Sequence, residues 1–205
     1  MKLYYAETAN CYKTCAVAHY LKSPVEFVRV NLGELEHKQP DFMAKNPNGK
    51  VPVLDTGNGY LWESVAIMCH LARQADSDLW PNDDKQIEVL RWISWDFDCF
   101  LPSAGVYYYE NIIKPQFNIG KPDPNALQKA EPQFKQHAEL LNNHLAGKDF
   151  VVGDSLTLAD FSLAVMLPYA EQAQIPLDNF PEIQRWHHEL MQLPAWRSPF
   201  PTIDK

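Results

Sequence analysis

No apolar run among the 205 residues approaches the roughly 18 needed to cross a bilayer. The opening MKLYYAE lacks the long apolar stretch and small-residue cleavage site of a secretory signal. A cytoplasmic protein with no membrane partner is the expectation. Cysteine is scarce and scattered: four residues, at 11, 15, 69 and 99, are too few for a disulfide framework and include no zinc-like pair. Reduced thiols and no metal are expected. Basic charge is short as well, with 18 Lys/Arg against 26 Asp/Glu and a net charge of −8. The deficit is uneven: 8 against 9 over residues 1–80, but 10 against 17 over residues 81–205. An acidic second half repels phosphate backbones and argues against nucleic acid, while the near-neutral first half still admits a small anion. Repeats and low-complexity segments are absent.

What is present is an ordinary globular composition, 46% apolar and 12% aromatic, in a chain long enough for a real core. Lys2–Ala6 reads as a short strand, and Cys11, Cys15, Ala18 and Leu21 recur at helical spacing from Asn10 onward. Ser23-Pro24 stops that helix, and 25–30 is rich in β-formers. A polar loop, 33–48, holds room for a turn of helix around 41–44. Val51–Leu54, the turn 55–59 and Tyr60–Trp62 make a hairpin pattern, after which Ser64 opens a helix through Ala75. Beyond a linker at 78–84 the periods are all helical: 85–113, with Pro102 as a kink, then 124–145, 157–172 and 181–193. Thr157–Asp160 reads as a capping box, with Leu156 and Phe161 as its hydrophobic staple. The prediction is an α/β domain of order βαβ-ββα over residues 1–77, followed by an all-α domain over 86–205.

The stretch ETANCYKTC, residues 7–15, carries the chemistry. A strand feeding directly into a helix aims free N–H groups and a helix dipole at the space beyond the strand, which favours an anion such as a thiolate. Thr8 and Asn10 add side-chain donors. The thiolate is either Cys11's own, its pKa lowered by the helix terminus, or one that a ligand brings. The plainer alternative has Thr8 and Asn10 capping the helix with Cys11 in the core. Lys50-Val51-Pro52-Val53 sharpens the choice, because X-Pro is where cis peptides occur. A cis bond would leave the Val51 backbone free to pair with an extended peptide. Ser64, opening a helix, suits a carboxylate, and Glu63 suits an ammonium. These sites in order describe an extended peptide with an α-amino acid end and a thiol in its middle.

The segments MKLYY, TANCYK, EHKQPDFMAKNPNGKVPVL, LWESVAIMCHLA, GDSLTLADFSLA and FPEIQRWHHELMQLPAW together resemble a cytosolic glutathione transferase over essentially the whole chain. The resemblance implies a thioredoxin-like N-terminal domain that binds glutathione as co-substrate. It also implies a helical C-terminal domain forming most of the electrophile pocket, and a homodimer. It makes Pro52 cis, pairs the Val51 backbone with the cysteinyl part of glutathione, and gives Glu63 and Ser64 the γ-glutamyl end. Lys38 and Lys50 match positions that meet the glycine carboxylate. TANCYK is similar to the T-P-N-G-x-K pattern of nu-class enzymes, with Ala9 and Cys11 in place of Pro and Gly, while MKLYY and a cysteine nearby resemble the beta class. No serine lies between residues 1 and 22, where theta and phi classes place theirs. The order of candidates for holding the sulfur is Thr8 and Asn10, then Cys11, then Tyr5.

The expected function is conjugation of the glutathione thiolate to small, mostly hydrophobic electrophiles. A glutathione-dependent disulfide reductase and a non-catalytic glutathione-binding module stand as alternatives. Trp95, Tyr107 and Tyr108, with Tyr109 and Phe117 beside them, are the pocket candidates. Cys15, Cys69 and Cys99 read as core residues and His187-His188 as a pair on a late helix without metal. Asp96 and Asp98 read as a solvated face or as acids reaching a partner's ligand, and residues 193–201 as a tail packed on the surface.

Overall fold

A computed structural model of the protein describes residues 1–202. The chain divides into two compact units, one made of residues 1–80 with the tail from Met191, the other of residues 81–190.

The first unit opens with β1 (Lys2–Tyr5), α1 (Ala9–Tyr20), β2 (Glu26–Arg29), a 3-10 turn at Glu36–Lys38 and α2 (Pro40–Met43). It continues with β3 (Val53–Asp55), β4 (Tyr60–Trp62) and α3 (Ser64–Gln74). Sheet order is β2-β1-β3-β4, with β1 and β2 parallel and the other neighbours antiparallel. This is the βαβ-ββα order expected. Alternation along β1 splits its side chains between two faces. Leu3 and Tyr5 join Cys11, Cys15 and Ala18 of α1 and Ile67 and Leu71 of α3 in one cluster, while Tyr4 packs with Phe42 and Val53. β3 begins two residues later than the apolar run suggests, since Pro52 has no N–H to give the ladder.

The second unit is all helix. α4 (Lys85–Trp95), a π-helical turn (Asp96–Phe100), α5 (Leu101–Tyr108), a second π turn (Tyr109–Ile113) and α6 (Lys114–Gln116) form one continuous rod. Each π turn immediately precedes a segment containing a proline, Pro102 or Pro115, at its first turn. A proline ring clashes with the carbonyl four residues back, and widening the preceding turn is one way to relieve this. α7 (Pro124–Leu145) follows, capped by Asp123 accepting from the Asn125 N–H at 2.9 Å. The predicted helix 157–172 is three pieces: α8 (Leu158–Leu163), a 3-10 segment (Ala164–Tyr169) around Pro168, and α9 (Ala170–Ala173). α10 (Pro181–Leu190) completes the unit. The capping box at Thr157 and Asp160 is present.

The tail carries α11 (Pro194–Arg197) and packs on α1 of the first unit, whereas the sequence places it with the helices. The Tyr12 hydroxyl donates to the Trp196 carbonyl, the two rings meet at 4.9 Å, and Phe200 stacks on Tyr5 at 5.9 Å. α1 is therefore buried on two faces, by the sheet and α3 on one side and by the tail on the other. No helix among the described residues is long and apolar enough to cross a membrane.

Candidate functional site

The sheet register decides what lies together. Tyr4 stands opposite Val53 in the β1–β3 pair, and Val53 opposite Trp62 in the β3–β4 pair. Beyond these pairs β1 ends at Tyr5, β3 has not yet begun at Val51 and β4 ends at Trp62, all at the same end of the sheet. The turn into α1, the approach to β3 and the start of α3 thus meet at one end of the sheet. Two helix N-termini, α1 and α3, begin there, each with backbone N–H groups that no earlier turn can accept. A direct contact joins them: Ser64 Oγ donates to Asn10 Oδ1 at 3.4 Å.

Of the four candidates for the sulfur, the structure puts two at this opening and two in the core. Thr8 is half-buried with extended backbone, φ −127° and ψ 159°, and its side chain caps no helix N–H. Asn10 is exposed in the first turn of α1. Cys11 is 0% exposed, and the Ala6 N–H donates to its Sγ at 3.5 Å. Burial pushes its thiol up to about 11, outweighing the Thr8 hydroxyl and the Ala6 N–H, which both pull it down. The helix terminus predicted to make a thiolate is overcome by desolvation. Burial likewise raises the Cys15 thiol and the Tyr5 phenol, which lies under Phe200.

The Val51–Pro52 bond is cis, and the Val51 side chain packs into the clusters on both faces of the sheet. The preceding loop is knitted by Asn46, which is buried. Its Nδ2 donates to the Lys50 carbonyl at 2.7 Å, and its Oδ1 accepts from the Asn48 N–H at 3.0 Å. Lys38 Nζ donates to the Gly49 carbonyl at 3.0 Å, which brings one ammonium to the loop just ahead of Val51. Lys50, on the same loop, is exposed. Gly49 has φ +57°, and a Cβ there would lie 2.8 Å from Met43 Sδ and 2.9 Å from Lys38 Nζ. Only glycine fits both the backbone and the approach of Lys38. Asn46 escaped the sequence reading, although the turn-forming string NPNG around it was the available signal.

Glu63 is exposed and holds φ +73° with ψ 120°, a conformation that costs a non-glycine residue on the order of 1–3 kcal/mol. Its carbonyl accepts the Ile67 N–H at 3.0 Å and so starts α3. Ser64, one residue on, is 3% exposed. Beside Thr8, Glu7 accepts from Arg29 Nε at 2.6 Å, and that guanidinium holds the Glu7 carboxyl below the usual range.

The aromatic candidates lie in the second unit. Trp95 stacks on Phe100 at 5.9 Å and Tyr107 is buried edge-on against Phe134 at 5.5 Å, so both serve that unit's own packing. Tyr108 is half-buried against Tyr169, and Tyr109 and Phe117 are exposed. Asp96 is no solvated acid: it is fully buried and accepts from Ser162 Oγ at 2.8 Å. Asp98 is exposed, and Cys69 and Cys99 are half-buried rather than core.

Residues 1–73 match the family profile "Glutathione S-transferase, N-terminal domain", and residues 102–194 match "Glutathione S-transferase, C-terminal domain". Glutathione S-transferase 3 of Zea mays is 30% identical over 185 residues, spanning 87% of this chain and 82% of the maize protein. The chain belongs to the glutathione S-transferase family. A probable glutathione S-transferase of Oryza sativa subsp. japonica, GSTF2, is 27% identical over 201 residues, 95% of this chain and 93% of the rice protein. The structure of a glutathione S-transferase I bound with lactoylglutathione superposes with a TM-score of 0.87 at 27% identity, covering 97% of each chain. This is a family of enzymes that take glutathione as substrate, and the thioredoxin-like first unit and helical second unit are its fold.

Proposed function

We propose that this glutathione S-transferase joins the thiolate of glutathione to small, mostly hydrophobic electrophilic carbons. The observation that carries the proposal is the meeting of Asn10 and Ser64 at the end of the sheet where the Val51 backbone and Glu63 also lie. In this reading the Val51 backbone pairs with the cysteinyl residue and Glu63 and Ser64 hold the γ-glutamyl end. Lys38 and Lys50 attract the glycine carboxylate. Thr8 and Asn10 hold the sulfur in the manner of the nu class. Donors aimed at a developing or resident thiolate raise its fraction at neutral pH. The thiolate attacks carbon, a leaving group departs or a proton adds, and the thioether forms. Cytoplasmic residence, a homodimer and a part in detoxification belong to the same reading, with Trp95, Tyr107 and Tyr108 near the electrophile and a domain boundary between residues 77 and 86.

The test is a comparison of two assays on one preparation: conjugation to 1-chloro-2,4-dinitrobenzene and glutathione-dependent reduction of 2-hydroxyethyl disulfide. Conjugation that exceeds reduction supports the transferase reading. Reduction that dominates moves the assignment to the disulfide reductase. That enzyme would work through two glutathione molecules, since the Cys11 sulfur is fully buried. Absence of both activities would reject the reading.

A further inference from the structure

A carboxylate beside a thiolate disfavours its charge, so an acid next to a sulfur site has to be neutralised or turned away. Glu7 is such an acid. It stands at the tip of the passage from β1 into α1, where the Thr8 N–H donates to the Ala6 carbonyl at 2.7 Å and closes a three-residue turn around it. The next residue, Thr8, is one of the two proposed donors to the glutathione sulfur. β1 and β2 run parallel with Tyr5 paired to Arg29, which brings the end of β2 beside the same turn. The Arg29 guanidinium takes both carboxylate oxygens at once, Nε donating to Oε1 at 2.6 Å and Nη2 to Oε2 at 3.0 Å. A fork of this kind fixes direction as well as distance. The other acid felt by Arg29, Glu36, accepts instead from the Asn31 N–H at 2.7 Å. The Glu7 charge also reaches the inner side of the turn. Burial is the main cause that raises the Tyr5, Cys11 and Cys15 groups, and the Glu7 carboxylate adds to it at all three, while Arg29 opposes it at Tyr5.

We propose that Arg29 is a positioning residue for the glutathione thiolate: its guanidinium holds the Glu7 carboxylate against the end of β2, neutralised and turned from the space beside Thr8 where the sulfur would lie. This rests on the reading that bound glutathione ionises beside Thr8 and Asn10. Both side chains of the pair are exposed, so it adds little to stability, and its effect falls on the charge that the sulfur meets. Without Arg29 the Glu7 side chain is free to change rotamer and carries an uncompensated charge next to Thr8. A unit charge roughly 7 Å away across a water-like medium moves an ionisation about threefold. The other ionisable groups at and around this end of the sheet are Tyr5, Cys11, Lys38, Lys50 and Glu63. They stay the same in every variant compared below, so the differences report the Glu7 charge.

The experiment compares wild type, Arg29→Met, Arg29→Lys, Glu7→Gln and the Arg29→Met/Glu7→Gln double variant. Each is saturated with glutathione, and the ultraviolet absorbance of the thiolate is followed with pH at low and at high salt. Arg29→Met should lose about threefold of the bound thiolate at neutral pH and low salt, and the loss should shrink at high salt because the freed charge is exposed and screened. Glu7→Gln in the same background should restore the thiolate. Arg29→Lys should recover part of it, since an ammonium keeps the charge but not the fork. Glu7→Gln alone should hold or raise the thiolate fraction, and melting temperatures should stay near that of wild type. Unchanged ionisation in Arg29→Met overturns the proposal, as does a lowered thiolate fraction in Glu7→Gln alone. A loss in Arg29→Met that Glu7→Gln does not restore, or that salt leaves intact, overturns it too, because the turn and not the charge is then at fault. If wild type does not ionise bound glutathione at lower pH than the free tripeptide, the underlying reading fails and takes the proposal with it. Normal ionisation in wild type with flat variants removes the proposal alone.

Discussion

Asp160 Oδ1 accepts hydrogen bonds from both the Val151 N–H at 2.9 Å and the Trp186 indole at 3.1 Å, tying the start of α8 to the loop before it and to α10. The other oxygen takes the Thr157 N–H at 2.9 Å and the Thr157 hydroxyl at 3.1 Å. All of these groups are buried. Asp160→Ala orphans two backbone N–H groups and an indole N–H, each costing about 1–3 kcal/mol, so a loss of more than 3 kcal/mol is expected. Urea unfolding followed by tryptophan fluorescence measures it, with glutathione affinity of the surviving folded fraction unchanged.

Lys38 and Gly49 make the second prediction. Lys38 Nζ is held by the Gly49 carbonyl beside the loop that leads to Val51. Lys38→Met should weaken glutathione binding several-fold and cost less than about 1 kcal/mol of stability, since the bond is only partly buried. Calorimetry with glutathione and with its glycine monoethyl ester separates the causes. The ester, neutral at that end, should bind wild type and variant alike; an equal loss for both ligands would show that the loop, not the charge, was lost.

Glu63 pays for its place with backbone strain at φ +73°. Glycine meets no such penalty, so Glu63→Gly should raise thermal stability by up to about 1 kcal/mol while weakening glutathione binding. Glu63→Ala should weaken binding equally without the stability gain. Equal melting temperatures for the two variants would remove the strain argument.

Acid should loosen the second unit through His187. Burial, with His188 adding to it, lowers its pKa from 6.5 to about 4, and its Nε2 has no partner among the described residues. A base depressed in the folded state stabilises the fold fully above the unfolded pKa, near 6.5, and loses that contribution as pH falls toward 4. The full span is on the order of 3 kcal/mol. Asp160, pushed up to about 6 by burial, acts with the opposite sign over a similar range, so the informative comparison is between variants. His187→Phe should flatten the fall in stability between pH 6.5 and 4 relative to wild type. Parallel pH profiles would assign the acid sensitivity elsewhere.

Much of this architecture was legible in the sequence because it rests on local signals. The strand into α1, the hairpin around 55–59, the 124–145 helix and the Thr157–Asp160 cap each lie within a short window, and each stands in the structure within a few residues. The proposed glutathione site was read from a different signal: helix N-termini, where backbone N–H groups are left without an earlier turn, and the X-Pro bond at Pro52. What the sequence hid depends on packing between distant segments. The tail's Trp196 and Phe200 find Tyr12 and Tyr5 more than 180 residues away, and nothing in the last twelve residues names that partner. The two π turns answer to prolines that propensity alone reads as a single kink. Burial of Asp96 against Ser162 likewise joins residues 66 apart, so a lone acid in a helix looked solvated.

Cys11 shows the same effect at the site itself, and it gives the last prediction. Its position in the first turn of α1 argues for a thiolate, but its sulfur sits with Leu3, Tyr5, Cys15 and Ile67, and the cost of charging it there exceeds what a helix dipole returns. At neutral pH it is a protonated thiol holding the Ala6 N–H and the Thr8 hydroxyl. Cys11→Ala should therefore leave the bound glutathione thiolate and the conjugation rate within about threefold of wild type. It should cost about 1–2 kcal/mol of stability through lost packing and the freed N–H. A thiol-specific reagent, 5,5′-dithiobis(2-nitrobenzoic acid), should label the native protein at Cys69 and Cys99, which are half-buried, well before Cys11. Rapid labelling of Cys11 in the native state, or loss of turnover in Cys11→Ala with glutathione still bound, would return the nucleophile to the protein and the disulfide-reductase reading to first place.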